Sequence, residues 1–149
     1  MSALVRGQDG ASWFDWPIRV EYHEVDAGGV AHHAVFLRWF ERGRTEMLRA
    51  LGVPYAGLEA EGARIVVVES RTRHRAPAVY DDLLRVRTRV SRLGRVRIVL
   101  EYRVEREGSG DLLCEGETTL AVVDGAGRPR ELPRGLEAAL ASRRSNLGL

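Results

Sequence analysis

From about His33 to Leu51 the large apolar residues Phe36, Trp39, Phe40, Met47, Leu48 and Leu51 recur at spacings of three and four, with Gly43 on the same face. That is the period of an amphipathic helix. Arg38, Glu41, Arg42, Glu46 and Arg49 fall mostly on the other face, where i,i+3 and i,i+4 ion pairs form. Gly52 is a natural stop signal. A helix with so many large apolar residues must be covered by a second layer. Gly43 in its middle costs up to about 1 kcal/mol against Ala, a cost that is offset where a strand or a ligand approaches closely.

Alternation elsewhere in the chain supplies the cover. Pro17 to His23 sets Ile18, Val20 and Tyr22 against Arg19, Glu21 and His23, the pattern of a strand. Pro54 to Gly62 reads as a short second helix or a loop. Four further strands follow: Arg64 to Arg75, Leu84 to Val90, Val96 to Glu105, and Leu112 to Val123. Asp81-Asp82, Leu93-Gly94, Glu107 to Asp111 and Asp124 to Gly127 mark the turns, and Leu136 to Arg144 fits a short helix. The strands have one apolar face and one Arg-rich face, as in an antiparallel sheet packed on one side. The expectation is an α+β fold, a long central helix wrapped by a curved antiparallel sheet of about five strands. Residues 1–149 read as a single domain, with loose termini at 1–14 and 143–149 and with Trp13 and Trp16 anchoring the first of these.

The charge pattern narrows the partners. All 23 basic residues are arginine, yet the formal net charge is only +2. For most of them the plain reading is a solvated strand face paired with Glu and Asp. A phosphate-bearing ligand needs only a few, since arginine grips phosphate in bidentate fashion. A nucleic-acid surface is not expected, because no basic cluster interleaves with aromatics. No apolar run reaches the roughly 20 residues of a membrane span. Met1 to Gly10 lacks a signal peptide's apolar stretch, and Cys114 stands alone, so no internal disulfide forms. Together these point to the cytoplasm.

Chemistry concentrates in Glu24-Val25-Asp26-Ala27-Gly28-Gly29-Val30-Ala31-His32-His33-Ala34. This stretch sets a carboxylate, two glycines and a histidine pair directly before the helix. A helix start carries unpaired N–H groups and about half a positive charge. Such an end polarises a carbonyl oxygen, and a nearby carboxylate attacks the carbon or activates water. Asp26 fits that role, and it equally fits an Asx turn. His33 matters more for its amide than for its ring, while His23 and His32 read as surface histidines. No metal-ligand spacing such as H-E-x-x-H is present, so neither a metal nor a redox cofactor is expected. Gly125 and Gly127 are turn residues.

The run from Tyr22 to Glu41 resembles the signature of hotdog-fold acyl-CoA thioesterases, in the branch of the 4-hydroxybenzoyl-CoA thioesterases and YbgC-like proteins. The similarity continues through Arg44-Thr45-Glu46, Leu51-Gly52, Ala76-Pro77-Ala78, Tyr80-Asp81-Asp82 and Leu132-Pro133, so it covers about residues 16–135. It implies that Asp26 is the catalytic carboxylate and that the His33 N–H is the oxyanion donor. Gly28 and Gly29 allow the tight turn between them. Val30, His32, Phe36 and Glu41 are the neighbouring candidates for the substrate site, and Arg71, Arg73, Arg75 and Arg89 the candidates for the phosphates of coenzyme A. Coenzyme A enters only as part of the substrate. The resemblance also implies a homo-oligomer, a dimer at minimum and often a tetramer, with the acyl group in a cleft between subunits. There are three departures from the family pattern. Glu24-Val25 stands for a common Asp-Thr, Val35 for a common Asn and Phe36 for a common Tyr, so the pocket wall is more apolar.

Two rival functions share these residues. A hotdog hydratase or dehydratase pairs a histidine with an acid to move a proton beside the thioester carbonyl, but the order of Asp26 and His33 fits the thioesterase pattern better. A non-catalytic acyl-CoA binding module is the second rival.

Overall fold

The computed structural model describes residues 3–6 and 12–145. Two short strands come first, β1 (Ala3–Arg6) and β2 (Ser12–Arg19). A single 3-10 turn at Tyr22–Glu24 leads to α1 (Val35–Ala50) and then to the brief α2 (Tyr55–Ala60). Strands β3 (Arg64–His74), β4 (Leu83–Leu93), β5 (Arg97–Arg106) and β6 (Leu112–Val123) follow, and α3 (Arg134–Ser145) ends the described chain. All strand pairs are antiparallel, in the order β1-β2-β4-β5-β6-β3. The α+β expectation holds: β2 to β6 are the five expected strands, and β1 is an addition at one edge.

The first strand is a correction. It spans Ser12–Arg19 instead of residues 17–23, so the supposed arm is in part sheet. Val20 to His23 leave the strand for the 3-10 turn, whose Glu21 and Glu24 close a capping box. At the other end α3 runs to Ser145, further than a tail starting at 143 allows. The rest of both supposed loose termini, residues 1–2, 7–11 and 146–149, lies outside the described residues.

Helix α1 lies on the inner face of the sheet, burying Phe36, Trp39, Phe40, Met47 and Leu48. Gly43 faces β4 so closely that a Cβ there would sit 2.7 Å from Thr88 Oγ1 and 3.0 Å from Val86 Cγ1. The close approach that the glycine called for is therefore a strand. Phe40 stacks on Tyr102 of β5 with ring centroids 4.4 Å apart, and its Cε2–Cζ edge rests on Gly116 of β6. Beside α1, α3 packs toward β4, burying Leu136 and Leu140.

The outer face carries the arginines, paired largely as expected. Arg89 meets Glu101 at 2.6 Å, Arg71 meets Glu117 at 2.7 Å, Arg75 meets Glu115 at 2.9 Å, and Arg87 meets Glu105 at 3.1 Å. Trp13 lies beneath them, buried under the Arg89 guanidinium 4.3 Å above its ring. Strand β3 differs from its neighbours. Among the described residues it pairs only with β6, and along most of its length it is exposed on both faces.

Candidate active site

The loop before α1 is a miniature hairpin. Val25 bridges Ala31, the Asp26 N–H donates to Val30 O (2.9 Å), and the Gly29 N–H donates to Asp26 O (3.0 Å). Gly29 sits at φ +83°, a conformation that a side chain strains. The loop is tied to the sheet where the Ala31 N–H donates to Ala78 O (2.8 Å) and Val30 bridges Val79.

Glu24 ties the same loop to the helix. Its Oε1 accepts from the Glu21 N–H (2.8 Å) and its Oε2 from the Trp39 indole N–H (3.0 Å). Its main-chain oxygen accepts from the His32 N–H at 3.0 Å. The longer acid at this position therefore reaches a fully buried tryptophan about one turn into α1.

The Asp26 side chain is exposed, and its Oδ1 accepts from the Gly28 N–H at 2.8 Å. The Asx turn is thus real, and it leaves Oδ2 free for a second task. On the far side of the opening, α1 begins without a side-chain cap and without an acidic residue in its first turn. The positive end of its dipole is left unneutralised. Among the described residues nothing accepts from the His33 N–H. His32 shapes this corner: its Nδ1 accepts from the Ala34 N–H (3.1 Å), and its ring stacks on that of His33 at 4.2 Å.

Asp26, Val30, His33 and Phe36 line one open cleft together with His74, Arg75 and the Ala76-Pro77 corner. Five of the expected site residues thus meet, Arg75 included. Gly28, Gly29 and His32 hold the loop around them. Glu41 lies further along α1, exposed, in a second and smaller pocket. Arg71, Arg73 and Arg89 are not brought to the cleft; they line a groove on the outer sheet face with Trp13. His74 was missed by the sequence reading. Its ring packs edge-on against Phe36 at 4.9 Å. Its place in the alternation of β3, opposite Arg71, Arg73 and Arg75, carried the signal.

An exposed carboxylate and an unpaired amide at a helix start thus share one cleft in an α+β sandwich. The chain belongs to the thioesterase-like superfamily, which it matches over residues 20–140, and this membership places it among the thioester hydrolases of the hotdog fold. It is 36% identical over 126 residues to the acyl-CoA thioester hydrolase YbgC of Escherichia coli, covering 84% of this chain and 93% of that protein. Its identity to the acyl-CoA thioesterase YbgC of Haemophilus influenzae is 38% over 128 residues, or 85% of this chain and 93% of the relative. Among solved structures, the probable thioesterase from Bartonella henselae superposes with a TM-score of 0.76 at 33% identity, over 81% of this chain and 99% of that one.

Proposed function

We propose that the protein hydrolyses acyl-CoA thioesters to a free acid and coenzyme A, with Asp26 and the His33 amide as its catalytic pair. The observation that carries this reading is their shared cleft. The thioester carbonyl oxygen accepts a hydrogen bond from the His33 N–H, and the positive helix end stabilises the charge that builds on it. One such donor is worth roughly 2.7–4 kcal/mol in the transition state. Asp26 Oδ2 takes a proton from water as the water oxygen bonds to the carbonyl carbon. The tetrahedral intermediate then collapses with cleavage of the C–S bond, and the leaving sulfur takes the proton held by Asp26, which gives the free thiol and restores the carboxylate. The covalent version, attack by Oδ2 itself followed by hydrolysis of the anhydride, uses the same geometry. Neither route calls on a metal or a redox cofactor.

The working unit in this reading is a homo-oligomer. Val66, Val67 and Val68 are 40–50% exposed on β3, a strand paired on one side only among the described residues, and an exposed apolar edge strand favours covering by another chain. Among the described residues no helix is long and apolar enough to cross a membrane, and the working compartment in this reading is the cytoplasm.

The test is a thiol-release screen over a panel of acyl-CoAs with wild type and Asp26→Ala, run beside light-scattering mass measurement. The expected result is hydrolysis that falls about 100-fold or more in the variant, from a species of at least dimer mass. Unchanged turnover in Asp26→Ala would overturn the assignment, and products that retain coenzyme A would point to hydration instead.

A further inference from the structure

Asp26 and the His33 amide stand at the two ends of one hairpin, and one side chain beside Asp26 fastens that hairpin to the helix. Glu24 precedes Asp26 by two residues and is not among the residues that line the cleft. Its main-chain oxygen accepts from the His32 N–H at 3.0 Å, next to the His33 amide. Both of its carboxylate oxygens are occupied. Oε1 accepts from the Glu21 N–H at 2.8 Å, and Oε2 accepts from the Trp39 indole N–H at 3.0 Å. Trp39 is 1% exposed and packs edge-on against Phe36, a wall of the cleft, with ring centroids 4.7 Å apart. It is a fixed point of the core.

Apart from Val25, which packs against the core, the arm that carries Asp26 has little else to locate it. Among the described residues, every main-chain hydrogen bond of Glu24, Val25 and Asp26 stays within residues 21–32, and the Asp26 side chain bonds only to Gly28. The returning arm is different, since Ala31 is bonded to Ala78 and Val30 bridges Val79. Among the described residues the Glu24 side chain is therefore the one hydrogen-bonded tie from the acid's own arm to α1. Its bond to the indole is charge-assisted and directional, the kind that fixes a distance. A misplacement of about 1 Å at reacting groups costs about 100-fold in rate.

We propose that Glu24 is a positioning residue for thioester hydrolysis, acting through the Trp39 indole to hold Asp26 at its working distance from the His33 amide. This rests on the thioesterase reading above and adds the pair that spaces its two catalytic groups. Attack on the carbonyl needs the Asp26 carboxylate and the His33 N–H at one carbonyl group at once. Binding of the coenzyme A portion does not. Loss of the tie is therefore felt in kcat and hardly in KM.

The experiment measures kcat and KM for thiol release with the acyl-CoA of the panel that wild type hydrolyses fastest. The variants are Glu24→Ala, Trp39→Phe, the two combined, Asp26→Ala, and Asp26→Ala with Glu24→Ala, each assayed below the onset of its own thermal melt. Glu24→Ala and Trp39→Phe are each expected to lower kcat about 10-fold or more, with KM held within about threefold. The combined variant should be no slower than Glu24→Ala alone, because both changes break one bond. In the Asp26→Ala background, Glu24→Ala should leave the residual rate as it is. Should Glu24→Ala fail to fold, Trp39→Phe, alone and on Asp26→Ala, carries the test in its place. Wild-type kcat in either single variant would overturn the proposal. So would losses that multiply in the combined variant, or equal losses from Glu24→Ala with and without Asp26, which mark a general loosening of the fold. These results leave the thioesterase reading standing. Full turnover by Asp26→Ala, or no thiol release from any acyl-CoA, instead sinks that reading and this proposal with it.

Discussion

Replacing Gly116 by alanine is the sharpest probe of how the helix is seated. A Cβ at this position would lie 2.2 Å from Phe40 Cε2 and 2.3 Å from Cζ. That is more than an ångström inside the roughly 3.5 Å at which carbon atoms rest. Phe40 has no room to withdraw: it is fully buried, and Tyr102 stacks on it at 4.4 Å. The added methyl must therefore push the ring and α1 away from β6. Overpacking of this kind costs about 1–3 kcal/mol, which for a chain of this size lowers Tm by about 2–12 °C. Differential scanning calorimetry measures it. Because α1 carries the His33 amide at its start, thioester turnover is expected to fall as well. Phe40→Leu in the Gly116→Ala background should cost less than in wild type, a coupling of about 0.5–3 kcal/mol. A Gly116→Ala protein with the wild-type Tm would refute the account of the packing.

Three more outcomes are expected. Glu24→Ala strands the buried Trp39 N–H and frees the Asp26 loop, at a cost of about 1–3 kcal/mol; urea unfolding should record that loss, with a smaller one for Glu24→Gln, which keeps an acceptor. Gly29→Ala forces a side chain into φ +83° at about 1–2 kcal/mol, and thermal melts should register the drop. Burial pushes the Cys114 thiol up to about 11, so iodoacetamide at pH 8 should leave it unmodified in the folded protein and label it in denaturant. The same upward shift disfavours the thiolate in the fold, so stability should decline as pH rises above the unfolded thiol's range, near 8.5.

The helix, β4 to β6 and the short C-terminal helix were legible because each exposes one polar face and buries one apolar face, while β3, exposed on both faces, was legible from its β-branched run Ile65 to Val68. The start of β2 was not. In Ser12–Ile18 apolar side chains occupy both faces: Phe14 and Trp16 stack with each other on the inner side, while Trp13 is buried on the outer side by arginines from β4 and β5. No alternation survives in such a segment, so it read as an arm. In the site, Asp26 and the helix amide were readable because their positions are fixed by local sequence. His74 and Arg44 were harder. His74 lines the cleft only because β3 passes the helix start, and Arg44 reads as an ordinary member of a charged helix although it is buried.

The place of β3 in the sheet also says when this enzyme becomes one. Strands β4, β5 and β6 follow one another and close through short turns, so they can zip up early from local contacts. By contrast, β3 docks on β6 with Arg64 opposite Val123, a pairing that must wait until all the intervening chain is in place. One bank of the cleft at His33 therefore closes a longer loop than any pairing within the meander, and only β2, with Phe14 opposite Thr88, reaches further along the chain. A molecule in which only the β4–β6 meander has formed would lack the bank of the cleft that β3 supplies through His74 and Arg75.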